Sequence, residues 1–159
     1  MTNPILLAAL LALAPFAATP MPMVVATDLE ADGVLLCRPG RDGMTLAYDH
    51  SMYGGEVREE FVGGDGGRLR RVTMTTANAA AAEYYAFDAG VERVGERFRI
   101  DVPAQEFAEV VVRVDRVGTH RLVVGERVVD LVPATGSSRR VSLGVRSVPL
   151  LARLMPGGC

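Results

Sequence analysis

Met44-Thr45-Leu46-Ala47-Tyr48-Asp49-His50-Ser51-Met52-Tyr53, then Gly54-Gly55, then Glu56-Val57-Arg58-Glu59-Glu60-Phe61-Val62 is the stretch on which the fold turns. On both sides of the glycines, apolar and polar residues alternate with a period of two, the pattern of half-buried strands joined as a hairpin. A two-residue turn at Gly54-Gly55 pairs Tyr53 with Glu56. It then sets Met52 opposite Val57, His50 opposite Glu59 and Tyr48 opposite Phe61, all on one face. Ser51, Asp49, Arg58 and Glu60 fall on the other, wet face. Burying an unpaired carboxylate is costly, so His50 is the expected partner of Glu59 on an otherwise apolar face.

The same period runs outward from this hairpin. Val34 to Leu36, Leu69 to Thr75, Arg97 to Val102, Glu109 to Val114, Thr119 to Val124, Arg127 to Val132 and Arg140 to Arg146 read as further strands. Pro39-Gly40, the glycine-rich run Gly63 to Gly67 and Gly136-Ser137-Ser138 mark turns between them. Roughly nine short, mostly antiparallel strands at this spacing predict an all-β domain, a β-sandwich or a small barrel. A second hairpin turns at Gly125-Glu126. It pairs Val124 with Arg127, Val123 with Val128, Leu122 with Val129, Arg121 with Asp130 and His120 with Leu131. Asn78 to Tyr85 reads as one helical turn or a loop, and Val148 to Met155 as a short amphipathic tail.

At the other end of the chain, Ile5 to Ala14 is an uninterrupted apolar decamer. As a helix it would reach about 15 Å, half of the ~30 Å hydrocarbon core, and Pro15, Pro20 and Pro22 break any extension. A short apolar core before a proline-rich, small-residue region reads as a secretory signal. Val24-Val25-Ala26 is the expected cleavage site, with an uncleaved N-terminal anchor as the alternative. Either way the rest lies outside the cytoplasm, periplasmic or at the cell surface, and membrane contact is confined to an uncleaved N-terminal segment. The expected organisation is a signal or anchor over 1–26, a β domain over 27–146 and a C-terminal tail over 147–159.

Composition narrows the functions. The 159 residues suffice for one domain. A net charge of −2 gives no basic face for nucleic acid. All 17 basic residues are arginine, which carries no functional conclusion. Cys37 and Cys159 are the two cysteines; one disulfide or two separate thiols both remain open, and neither sits in a metal-binding spacing. No cofactor is implied.

Asp49-His50-Ser51 has the letters of a catalytic triad, but strand alternation sends Asp49 and Ser51 to the face opposite His50. Glu59 and Glu60 likewise diverge and cannot work as a carboxylate pair. The Gly63 to Gly67 run lacks the Lys and Ser/Thr of a phosphate loop. His50 and Glu59 read first as a structural ion pair or hydrogen bond, and only then as an acid/base couple or metal ligands. His120 reads as a satisfied structural histidine. No catalytic residue and no metal site is assigned.

Tyr48-Asp49-His50-Ser51, followed by Val57, Glu59 and Phe61, resembles the DUF1850 family of exported bacterial and archaeal proteins. The segment from His120 through Arg127 to Leu131 is similar to that family's closing hairpin, and with Val34 to Arg38 the resemblance covers most of residues 28 to 146. It implies an extracytoplasmic β domain of unknown biochemical role, encoded beside tripartite ATP-independent periplasmic (TRAP) transporters of the TAXI type. Tyr53 stands where many relatives carry an acidic residue, and Asn78 to Glu83 where many carry a glycine-rich stretch.

The expected function is therefore a non-enzymatic accessory domain whose partner is a TRAP transporter membrane or solute-binding subunit. A stand-alone ligand-binding or surface-interaction domain comes next, and a hydrolase or metal enzyme using His50 and Glu59 third. Tyr48, His50, Ser51, Glu59 and His120 are the candidate polar core or binding residues. Strand addition at an exposed edge and a pocket under the Asn78 to Tyr85 segment are the two modes expected, and docking to a partner protein ranks ahead because aromatic residues are only 6% of the chain.

Overall fold

The computed structural model describes residues 20–40, 43–86, 90–149 and Cys159. In chain order the strands are β1 Pro20–Asp28, β2 Gly33–Pro39, β3 Met44–Asp49, β4 Glu56–Gly63, β5 Leu69–Thr76, β6 Val91–Val94 and β7 Arg97–Ile100. They continue as β8 Glu106–Phe107, β9 Val110–Asp115, β10 Arg121–Val124, β11 Arg127–Asp130 and β12 Ser138–Pro149. Among the described residues one α-helix, α1 over Ala79–Tyr84, follows β5.

The strands form two antiparallel sheets. The smaller runs β2-β1-β12-β9; the larger runs β11-β10-β3-β4-β5-β7-β6, with the short β8 also pairing with β5. Neither sheet closes into a barrel, so of the two architectures expected the sandwich is the one adopted. Between the sheets lie Val24, Ala26, Leu36, Met44, Leu46, Phe61, Leu69, Val114, Leu122, Leu131, Val141 and Leu143, from eight of the twelve strands and the residue that follows β11. Each such side chain contributes about 1.5–3 kcal/mol by leaving water. Arg139 of β12 joins the layers at one end of the sandwich: its Nε donates to the carbonyl of Leu131, just after β11, at 2.8 Å, while its Nη1 donates to the Asp28 carboxylate at 3.2 Å.

The second hairpin pairs residue for residue as expected, from Arg121 with Asp130 to Val124 with Arg127, and Leu131 N–H donates to His120 O. The first hairpin has a different register: Tyr48 faces Val57 and Leu46 faces Glu59. Instead of a two-residue turn at Gly54-Gly55, the loop closes between His50 and Gly55, with His50 N–H to Gly55 O at 3.0 Å and Gly54 N–H to His50 O at 2.8 Å. The His50 ring caps this wider turn by accepting from the amides of Met52 and Tyr53, each at 3.2 Å. Gly54 and Gly55 adopt φ of +68° and +81° within it, which glycine does without a Cβ penalty. The pairing moves by an even number of residues, so the paired side chains of Met44 to Asp49 keep their expected faces while their partners change. Beyond Asp49 the chain is turn and alternation lapses, so Met52, expected on the apolar face, is 72% exposed, and Asp49 and Ser51, expected opposite His50, border the same cavity as it does.

The expected domain boundary at Ala26 falls inside β1. Met23, Val24, Val25 and Ala26 are at most 2% exposed, and β1 is paired on both sides, with β2 and with β12. Val24 and Ala26 face the sandwich core, whereas Met23 and Val25 pack on the outer side against Val148, Cys37 and Cys159. A strand buried on both faces reads as a continuous apolar run with no alternation, which is why this one resembles the tail of a leader. The β domain thus includes Pro20 to Asp28, and cleavage after Ala26 would remove the middle of its smaller sheet. At the other end β12 extends to Pro149, past the expected limit at 146, and Cys159 is disulfide-bonded to Cys37. The apolar decamer Ile5 to Ala14 and most of the expected Val148 to Met155 tail lie outside the described residues.

Candidate functional site

The end of β3 delivers Tyr48 into the space between the sheets, where its hydroxyl donates to Glu59 Oε1 at 2.9 Å and lies 3.2 Å from the hydroxyl of Tyr85. Glu59 Oε2 receives Arg71 Nη1 at 3.0 Å, with both side chains 14% exposed. Strict alternation along β5 would send Arg71 to solvent. A bulge opposite Glu60 and Phe61 passes over Val72, so that Arg71 pairs with Phe61 and turns inward while Val72 is left exposed. The expected His50–Glu59 pair is thereby replaced: the Glu59 carboxylate goes to Tyr48 and Arg71, and His50 sits across from Gly55 in the turn. Burial, reinforced by the Glu59 charge, pushes the Tyr48 phenol far above its ordinary range, and burial also raises Tyr85.

His50 is 8% exposed and is surrounded by the rings of Tyr53, Tyr84 and Tyr85, with centroids 5.1–5.4 Å away. Because Nδ1 accepts from two amides, the ring proton of the neutral imidazole resides on Nε2. The nitrogen not used by the turn is therefore a donor. It offers no lone pair to a metal, and a base at this position would have to take its proton on Nδ1, inside the amide cradle. A ligating histidine needs the reverse arrangement, with the far nitrogen donating.

The second histidine stacks on Tyr48, rings 5.3 Å apart and 17° from parallel. Burial pushes the pKa of His120 down, and Asp115 and Asp49 pull it back in part. Its Nδ1 is buried without a hydrogen-bond partner. The loop before it is tightly organised: Asp115 Oδ1 accepts from the amides of Val117 and Gly118 at 3.0 and 2.9 Å. Thr119, at a φ of 42° that is strained for a β-branched residue, donates its hydroxyl to Asp49. A Cβ on Gly118 would come within 2.4 Å of the His120 ring, so the histidine's place over Tyr48 depends on that glycine.

Helix α1 closes the third side. Asn78 caps it, its Oδ1 accepting from Ala80 and Ala81 N–H at 2.8 and 3.2 Å, and ties it to the hairpin turn by donating Nδ2–H to Tyr53 O at 2.8 Å. Ala81 and Ala82 are buried, with Ala82 packed on Val57, Met74 and Ile100. That packing turns Tyr84 and Tyr85 toward His50. All four tyrosines and both histidines of the chain thus meet at one end of the sandwich, the end at which β1 finishes. The low aromatic content of the whole sequence gave no hint of this, and the premise that ranked partner docking ahead of a pocket does not hold locally.

A cavity of about 210 Å³ opens there. Tyr48, His50, Ser51 and His120, four of the five candidates, line it together with Tyr85, Asp49, Asp115, Gly118 and Arg113. The fifth candidate, Glu59, stands behind Tyr48. Sequence reasoning missed Asp115, Arg113 and Arg71, and it had Asn78 and Tyr85 only as the ends of a segment that could cover a pocket; Asn78, a capping residue type just before an alanine run, carried the local signal. Ser51 is exposed in the turn, and with His50 presenting a donor the two cannot form a nucleophile–base pair. Among the described residues no group of three or more His, Cys, Asp or Glu side chains comes together as a metal site. Compared with known protein families, curated proteins and solved structures, the chain matches none.

Proposed function

We propose that this chain is an extracytoplasmic, non-enzymatic binding domain that serves as an accessory to a TRAP-type solute transporter. The observation that carries the binding reading is the cavity in which Tyr48, His50, Ser51, Tyr85 and His120 converge. Aromatic walls with a few fixed polar groups suit recognition. The tautomer imposed on His50 counts against general-base or metal chemistry there. The Cys37–Cys159 disulfide favours an oxidising compartment, in keeping with the apolar N-terminal segment. The transporter link rests on the resemblance at Tyr48 to Phe61 and His120 to Leu131.

The test is deletion of this gene alone in its native cell, followed by uptake of the solute carried by the neighbouring transporter and a crosslinked membrane pull-down. Reduced uptake with recovery of a transporter subunit is expected. Normal uptake with no association would end the accessory role and leave a stand-alone binding domain.

A further inference from the structure

Building on the binding reading above, we infer that the cavity at the Tyr/His end takes a small polyhydroxylated solute of about monosaccharide size. The lining decides this by hydrogen-bond type. Asp49 and Asp115 present carboxylates, which only accept; Thr119 occupies Asp49 Oδ2 and the Val117 and Gly118 amides occupy Asp115 Oδ1, which leaves one oxygen of each for a solute. His50, more than nine-tenths buried, has its Nδ1 consumed by the turn, and its Nε2–H meets no acceptor among the described residues. That nitrogen and the Arg113 guanidinium only donate. A solute filling the space must therefore donate to one set and accept from the other, or it leaves desolvated polar groups unmatched. Hydroxyl groups do both.

Other classes meet fewer of these demands. A carboxylate solute would face Asp49 and Asp115, a quaternary ammonium would face Arg113 and leave His50 unanswered, and an apolar solute would strand every polar group. An amino-acid zwitterion satisfies both signs but has no flat C–H face for the rings. The Tyr48–His120 stack and Tyr85 supply aromatic walls of the kind against which the C–H face of a sugar ring lies. The volume of about 210 Å³ equals the liquid share of roughly seven waters, enough for one ring and too little for a chain of them.

The experiment titrates the purified full-length chain with D-glucose, D-galactose, D-ribose and sorbitol, and separately with L-alanine, choline and acetate. Molar polyols stabilise any protein by exclusion from its surface, so the readout is saturable amide-resonance shifts at millimolar concentration. At least one hydroxylated solute is expected to shift His50, Ser51, Tyr85 and His120 and to leave β6 and β12 unmoved. Ser51→Ala, exposed and without a structural partner, should weaken that binding up to about tenfold, the scale of one hydrogen bond. Asp49→Asn provides a second check with the same direction. Saturable shifts from alanine, choline or acetate instead would overturn the hydroxyl assignment while leaving a binding domain. Absence of any shift across the panel would also overturn it, and the uptake measurement then decides separately whether the accessory role survives.

Discussion

In the larger sheet, neighbours in space are mostly neighbours in sequence: β3, β4 and β5 follow one another, as do β6 and β7, and β10 and β11. In the smaller sheet the central pair joins β1 to β12, with Pro20 opposite Pro149 and Asp28 opposite Val141. The first kind of pairing is set by turns a few residues long. The second joins segments separated by more than a hundred residues, and pairing across so long a loop carries a larger closure cost than a hairpin does. The disulfide between Cys37 and Cys159 spans 122 residues and fastens the same sheet. The two sheets therefore differ in how their pairing is specified, mostly by short turns in the larger and, at the centre of the smaller, by segments far apart in sequence.

The largest expected effect breaks this contrast at its strongest point. A chain beginning at Thr27 loses Met23, Val24, Val25 and Ala26 and leaves β2 without a neighbour and β12 with β9 alone. It is expected to show no cooperative thermal transition by circular dichroism, whereas a chain beginning at Pro20 should unfold cooperatively. A cooperative transition in the Thr27 chain would show that β1 is dispensable and restore Ala26 as a domain boundary.

That difference also explains what could be read in advance. The hairpin at Gly125-Glu126 was legible to the residue because a two-residue turn fixes register. All nine strands marked by alternation are present. β1 was not legible because Met23 to Ala26, buried on both faces, lacks the period of two. β6 was hidden because Val91 to Val94 is exposed throughout, and β8 is two residues long. Within the site, Tyr48 was found because face assignment survives an even register shift, whereas His50 and Ser51 reach the cavity from the turn, where alternation no longer assigns faces. Their partners were not, since a side chain capping its own turn and a bulge that redirects Arg71 leave no mark in binary patterning.

The second prediction sharpens the contrast inside the larger sheet. Glu59→Ala removes the carboxylate shared by Tyr48 and Arg71 and should destabilise the fold by about 3 kcal/mol, the scale of breaking a buried charged pair. A double-mutant cycle, measured by urea unfolding, should give a coupling of about 1 kcal/mol or more between Glu59 and Tyr48, tested with Tyr48→Phe. The cycle between Glu59 and His50 should give a coupling near zero. A large Glu59–His50 coupling would mean that the two-residue turn at Gly54-Gly55, with its direct cross-strand pairing, describes the hairpin in solution.

The smallest effect concerns the seam where the loop after the smaller sheet's β9 meets the end of β3. Burial holds the pKa of His120 below its ordinary value near 6.5, while Asp115 and Asp49, the carboxylates facing it, oppose that shift only in part. Tyr48, stacked on the ring and pushed upward by burial, stays neutral in this range, and Arg113 is the other charged group that borders the cavity. The unfolded chain takes up a proton at this histidine near pH 6.5, and the folded chain does so only at lower pH. Between those two values the unfolded state binds more protons, so stability falls as pH is lowered through the window and rises as pH is restored. Asp28 and Asp115, held low chiefly by backbone amides, lose their contribution only below about pH 4, outside it. His120→Asn should therefore flatten the part of the stability–pH curve between pH 7 and pH 5 that the parent chain shows in urea unfolding. Identical slopes in the two proteins would show that the ring is open to water, and a parent curve that rises on acidification would show that Asp49 and Asp115 outweigh burial at this seam.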